Sequence, residues 1–164
     1  MSRATFEQMD LVKLTEAIIS TREHRAENEG RQVELRRPLG AAVVWGVPSR
    51  LERVIENLLD NAVSFSPPDG LITVTIEHHE DLISLSVCDH GPGIPEDARE
   101  KVFQRFHSLR PDAEAFGNHS GLGLAIARTI AEAHDGSLRA EGRADGASGA
   151  CLILRLPEFI RQRI

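Results

Sequence analysis

Residues 71–89, LITVTIEHHEDLISLSVCD, constrain the fold more than any other stretch of the chain. Apolar and polar side chains alternate through 71–79 and again through 82–89, with the polar EHHED between them, which predicts an antiparallel hairpin. A hairpin with one apolar face needs a cover, and residues 48–65 offer it. There Leu51, Val54, Ile55, Leu58 and Ala62 recur at helical spacing behind Pro48 and Ser49, while Arg53, Asn57, Asp60, Asn61 and Ser64 fall on or near the other side.

The rest of the chain extends this pattern. An extended segment at FEQMDLVKL leads into a polar helix over 12–28 ended by Gly30, followed by two short strands, QVELRR and AAVVWG. Beyond the hairpin come a Gly/Pro turn, HGPGIP, a short helix near 96–103 and a long aperiodic loop, RFHSLRPDAEAFGNHSG. A Gly-opened helix, GLGLAIARTIAEAHDG, with Asp135-Gly136 as its C-terminal stop, and strands near 137–142 and 150–156 close the chain. Strands grouped with helices on one face predict an α+β, two-layer sandwich in one domain of 164 residues. A formal net charge of −6 argues against general nucleic-acid binding. No apolar run approaches the roughly 20 residues that span a bilayer. Cys88 and Cys151 sit in strand-like runs without metal-ligand spacing and are expected to be buried, reduced thiols in a reducing cytoplasm. His78-His79 falls at the polar hairpin tip and is expected to be solvated.

Four short patterns carry chemistry. Asn57 and Asn61, spaced i and i+4, aim two carboxamides the same way and could share a hard cation such as Mg²⁺, although a solvated polar face has the same letters. Asp89 shares parity with Ile83, Leu85 and Val87, the apolar face of its strand, so its carboxylate needs a partner. An amino-bearing ring such as adenine would serve, and so would a cap on the following turn. Gly91 and Gly93 permit close approach of a ligand in a turn stiffened by Pro92 and Pro95. GLGLAIA opens a helix with glycines, where free N–H groups and the helix dipole favour an anion; no Gly-Lys-Ser/Thr follows, which excludes a P-loop.

The ordered run ENLLDNA, DHGPGIP, VFQRF, GLGLAIA resembles the N, G1, F and G2 boxes of the catalytic ATP-binding domain of sensor histidine kinases, which has the Bergerat fold. The wording around the boxes is most similar to alphaproteobacterial envelope- and acid-sensing kinases of the ChvG/ExoS type. The resemblance implies a mostly antiparallel mixed sheet covered on one face by helices, with a flexible ATP lid over about 107–119. It also implies that Asn57 and Asn61 hold Mg²⁺ on the ATP phosphates, that Asp89 takes the adenine amino group, and that Gly91 and Gly93 let the base lie against the backbone. Phe65 and Ile94 would line the base, Phe103 and Phe106 would anchor the lid, and Gly121, Leu122, Gly123 and Leu124 would present N–H groups to the phosphates. Many relatives have Lys where this chain has Ser64, so phosphate charge would fall on Mg²⁺ and on Arg105, His107, Arg110 or His119. Arg105→Ala is expected to reduce phosphotransfer more than nucleotide affinity.

Relatives that split water, and the anti-sigma-factor kinases, carry a Glu four residues before the metal-binding Asn; here that place is Asn57. Glu56, adjacent, points about 100° away on a helix. The expectation is therefore transfer of the ATP γ-phosphoryl group to a histidine on a separate dimerisation domain, with Asn57 and Arg105 as the catalytic side chains and a response regulator downstream. Two alternatives stay open: a regulatory nucleotide-binding module without transfer, and a serine kinase of the anti-sigma-factor type. None of the seven histidines has the His-Glu-x-x-x-x-Pro context of a phosphoacceptor. Residues 1–14 read as the end of a linker from that missing hairpin, 5–158 as the catalytic domain and 159–164 as a tail. Little or no autophosphorylation is expected, in a domain on the cytoplasmic side of an inner-membrane sensor.

Overall fold

A computed structural model describes residues 5–104 and 122–160. Its elements in chain order are β1 (Glu7–Asp10), α1 (Leu11–His24), β2 (Gln32–Arg36), β3 (Val43–Gly46), α2 (Pro48–Phe65), β4 (Leu71–His79), β5 (Leu82–Cys88), α3 (Gly123–Ala133), β6 (Ser137–Gly142) and β7 (Ala150–Pro157). The alternating stretch forms its hairpin, β4 against β5 from Thr73↔Cys88 to His79↔Leu82, and Glu80 turns the tip at φ 54°. β7 and then β6 add antiparallel on the β5 side, and β2 joins parallel to β4, giving a mixed sheet in the order β2-β4-β5-β7-β6. Ile72, Val74, Ile76, Ile83, Leu85, Val87, Leu138, Leu152, Leu154 and Leu156 are buried on its covered face, and Leu51, Val54, Ile55, Leu58 and Leu59 of α2 pack into the same core. Each such side chain contributes about 1.5–3 kcal/mol. This is the two-layer α+β sandwich expected. No described helix is long and apolar enough to cross a membrane.

Four local expectations need correction. The polar helix stops at His24 and not at residue 28, because Ala26 and Glu29 take positive φ and Arg22 Nε donates to Asn28 Oδ1, folding the following turn back. The extended N-terminal segment is a strand: β1 pairs with β3 in a separate two-stranded sheet, and Asp10 Oδ1 caps α1 through Val12 N while accepting from Ala42 N. Leu11, where the expected ranges 1–14 and 5–158 overlap, is fully buried. The short helix near 96–103 is two single 3₁₀ turns, Glu96–Ala98 and Lys101–Phe103, with i→i+3 bonds at Arg99 and Phe103.

The fourth correction concerns the cysteines. Cys88 and Cys151 are not separate thiols: the β5–β7 register sets them opposite each other, Cα–Cα 4.1 Å, and they form a disulfide. They flank the hydrogen-bonded pair Asp89 and Ala150, where Asp89 N donates to Ala150 O at 2.9 Å, so theirs is the close, non-hydrogen-bonded position of the ladder. At the hairpin tip, His79 Nε2 lies 3.0 Å from Glu77 Oε2 and His78 Nδ1 3.5 Å from Glu158 Oε1.

Candidate nucleotide site

α2 assembles the site. Asn57, Asn61 and Phe65 lie at i, i+4 and i+8, one stripe about 12 Å long, enough to separate a purine from its terminal phosphate. At its N-terminal end, Asn57 Nδ2 donates to Gly123 O at 3.0 Å, which ties the stripe to the start of α3. This hydrogen bond orients the amide and leaves Asn57 Oδ1 as its acceptor face. The half-buried Asn61 side chain makes no hydrogen bond among the described residues. At the other end, the turn after β5 rests on the last residue of α2: a Cβ at Gly91 would lie 2.3 Å from Phe65 O.

Asp89 ends the buried row of Ile83, Leu85 and Val87 and is itself 3 % exposed. Its Oδ1 accepts from Gly91 N at 2.9 Å and from Ala150 N at 3.2 Å. Oδ2 receives no bond from the described residues, so a buried carboxylate keeps one acceptor for a ligand. Gly91 and Gly93 were expected to make room for a base; their closest neighbours are protein backbone, Phe65 O and, for Gly93 at φ 83°, Gly149 O at 3.1 Å. Ile94 is half-buried against the core, and Phe103 is buried beneath the Arg128 guanidinium, 4.8 Å from its ring centroid. Leu122 caps α3 without a side-chain hydrogen bond of its own to the first N–H groups of that helix. Leu122, Gly123 and Leu124 form the N-terminal end of α3. Arg105, His107, Arg110, His119, Phe106, Gly121 and the lid lie outside the described residues.

Glu56 is occupied elsewhere. Its Oε2 accepts from Arg22 Nη1 at 2.8 Å, and the same nitrogen donates to Asp60 Oδ1 at 2.9 Å. Burial pushes the Glu56 carboxyl up and the Arg22 guanidinium opposes that shift. Arg22 is 1 % exposed, a burial that no local pattern signals, since a charged residue on a polar helix reads as solvated. Arg143 and Ser148, which reach the Asp89 turn from the β6–β7 loop, were missed as well. The Asp-Gly pair at 145–146 marks a turn but does not say what it faces.

Residues 46–160 match the family model described as histidine kinase-, DNA gyrase B- and HSP90-like ATPase. The chain belongs to that family. Within this ATPase family it is similar to the sensor protein ChvG of Agrobacterium fabrum, 47 % identical over 119 residues, which is 70 % of this chain and 20 % of the relative. The chain thus spans about a fifth of the length of that relative. Among solved structures, a mycobacterial sensor histidine kinase, MprB, superposes with a TM-score of 0.79 at 30 % identity, covering 94 % of this chain and 98 % of that one. Histidine kinase ThkA, solved in complex with the response regulator TrrA, does so with a TM-score of 0.77 at 25 % identity, covering 94 % and 42 %. The ATPase-family domain is an ATP-binding catalytic domain of the sensor histidine kinase kind, with the Bergerat fold.

Proposed function

We propose that the chain is the phosphoryl-donor domain of a two-component sensor kinase, passing the γ-phosphoryl group of ATP to a histidine on a separate dimerisation domain of the same kinase. Asp89 carries the base end of this reading: a carboxylate 3 % exposed, with Oδ1 fixed by two backbone N–H groups and Oδ2 left to accept from the adenine amino group. Phe65 and Ile94 flank the ring. Leu122, Gly123 and Leu124 meet the phosphates with main-chain N–H groups, and Asn57 and Asn61 offer carboxamide oxygens to Mg²⁺. These neutral oxygen donors fit a hard cation, which would neutralise phosphate charge when bound.

The chemistry favoured is transfer and not hydrolysis. A water needs a base beside the γ-phosphate, and the nearest carboxylate on α2, Glu56, is held by Arg22. A neutral imidazole has its own lone pair; it forms the N–P bond as the bond to ADP breaks. Arg105, outside the described residues, is proposed to steady the transferring group. A downstream response regulator belongs to the same reading, and so does a cytoplasmic placement, although the Cys88–Cys151 disulfide removes the thiol argument for it.

The test is to mix the chain with the helical-hairpin domain of its kinase and γ-labelled ATP. Label on the hairpin histidine, lost in Asn61→Ala, is the expected outcome. Label appearing only as free phosphate would refute the proposal, and nucleotide binding without any transfer would favour a purely regulatory module.

A further inference from the structure

The turn that carries Asp89 is not backed by packed core on its outer side. A cavity of about 610 Å³ opens between it and the β6–β7 loop, lined by Gly93, Ile94, Arg99, Arg143, Ser148 and Gly149 among others. What joins loop and turn across that space is a small set of polar links. Arg143 Nη1 donates to Asp89 O at 3.2 Å, and Ser148 Oγ donates to Gly91 O at 2.7 Å. Gly149 lies so close to Asp89 O that a Cβ there would stand 2.0 Å from it.

Arg143 is itself held rigid. Asp145 takes its fork, Nε to Oδ1 at 3.0 Å and Nη2 to Oδ2 at 2.6 Å, and Ala147 N holds Asp145 Oδ1 at 3.0 Å. The guanidinium side chain is 13 % exposed, so the links are partly shielded from water. His90 Nδ1 lies 3.2 Å from the same Nη1 and 2.8 Å from Leu71 O, which adds a third element, β4, to the brace. Asp89 is thereby gripped by its N–H and by Oδ1 from Ala150, by Oδ1 again from Gly91, and by its carbonyl from Arg143. The Asp89 side chain takes its direction from this main chain, and the bond from Arg143 is the side-chain link that fixes the Asp89 carbonyl.

We propose that Arg143 is a positioning residue for purine recognition: braced by Asp145, it holds the Asp89 peptide so that Oδ2 stays aimed at the 6-amino group of adenine. The inference rests on the reading of Asp89 given above and adds how that side chain keeps its aim. Its signature is selectivity. A brace that works through Asp89 matters for ATP, whose 6-amino group donates, and not for inosine triphosphate (ITP), whose 6-oxo group does not. A brace that merely stabilises the domain affects both nucleotides alike.

The experiment measures calorimetric affinities for ATP and ITP, with melting curves, for the parent, Arg143→Gln, Arg143→Lys, Asp145→Asn and Asp89→Asn. Arg143→Gln should weaken ATP binding roughly tenfold, the worth of one hydrogen bond to a charged group, and leave ITP binding within about twofold. Arg143→Lys should recover part of the loss, and Asp145→Asn, which loosens the fork but leaves Arg143 charged, should show a smaller loss of the same kind. Equal loss for both nucleotides, or none, in Arg143→Gln and Asp145→Asn overturns the proposal while Asp89→Asn still shifts the ATP/ITP ratio. An unshifted ratio in Asp89→Asn removes the Asp89 reading and this inference with it.

Discussion

Asp89→Asn should do more than weaken the site; it should reverse the sense of its hydrogen bonding. A substituted carboxamide has one oxygen and one NH₂, and the structure decides which goes where. Gly91 N at 2.9 Å and Ala150 N at 3.2 Å both donate into the Oδ1 position, so the amide oxygen must sit there. That puts NH₂ at the Oδ2 position, donor against the donor of adenine. The charge-assisted bond is lost, about 1.5–3 kcal/mol, which corresponds to roughly 10- to 150-fold in ATP affinity. The 6-oxo group of ITP accepts, so ITP should bind the variant better than ATP does. Competition against a fluorescent nucleotide gives both constants in one format. An unchanged ATP/ITP ratio, or equal weakening of the two, would show that Oδ2 does not face position 6 of the purine and that the orientation argued from the two backbone donors is wrong.

Gly91→Ala forces a methyl to within 2.3 Å of Phe65 O and should cost about 1–3 kcal/mol in denaturant melts together with a loss of ATP affinity, since Gly91 N is one of the two donors that hold Asp89; wild-type behaviour in both would mean that the turn can move away from α2. Reduction of the Cys88–Cys151 bridge by dithiothreitol should lower the melting temperature, by an equivalent of up to about 4 kcal/mol for cysteines 63 residues apart; identical melts of protein with confirmed oxidised and reduced sulfurs would refute this. Asp145 carries a pH prediction. Arg143 and Ala147 N hold its carboxyl well below the usual carboxylate range, so its stabilisation is fully present above the unfolded value near 3.9 and is lost as pH falls toward the folded one. The melting-temperature gap between parent and Asp145→Asn should therefore be constant from pH 7 to about 5 and shrink below about 4; a gap that widens on acidification would reverse the sign and sink the argument.

The parts of the fold legible in the sequence are those written in local periodicity. Alternation gave β4, β5 and the burial of Asp89, because parity along one strand needs no knowledge of its neighbours. The 3.6-residue stripe gave α2 and set Asn57 and Asn61 apart from its core face. What escaped was register between segments distant in the chain. The Cys88–Cys151 pairing and the Ala150 N–H beneath Asp89 follow from one fact, that β5 and β7 meet with residues summing to the same register, and no local pattern encodes that. β1 is legible as an extended segment, but a four-residue edge strand has too few positions to show a period or its pairing with β3. The short helix expected near 96–103 is instead two 3₁₀ turns closed by backbone i→i+3 bonds, a distinction that eight residues are too few to show as a period.

Arg22 shows why a buried charge changes the reading of its neighbours. On sequence alone Glu56 is set aside as a base because it points about 100° away from Asn57. The fold shows where it and Asp60 go: Arg22 Nη1 donates to Glu56 at 2.8 Å and to Asp60 at 2.9 Å, on the side of α2 that faces the turn after α1. The acids thus serve as the counter-charge of a cation that is 1 % exposed, a debt that burial of Arg22 imposes. The asparagines, a hundred degrees round the helix, are left as neutral oxygen donors beside α3. With Glu56 and Asp60 tied to Arg22, the proposed amide ligands would meet metal-bridged phosphates without either of these acids being free to activate water, as the proposed phosphoryl donor requires.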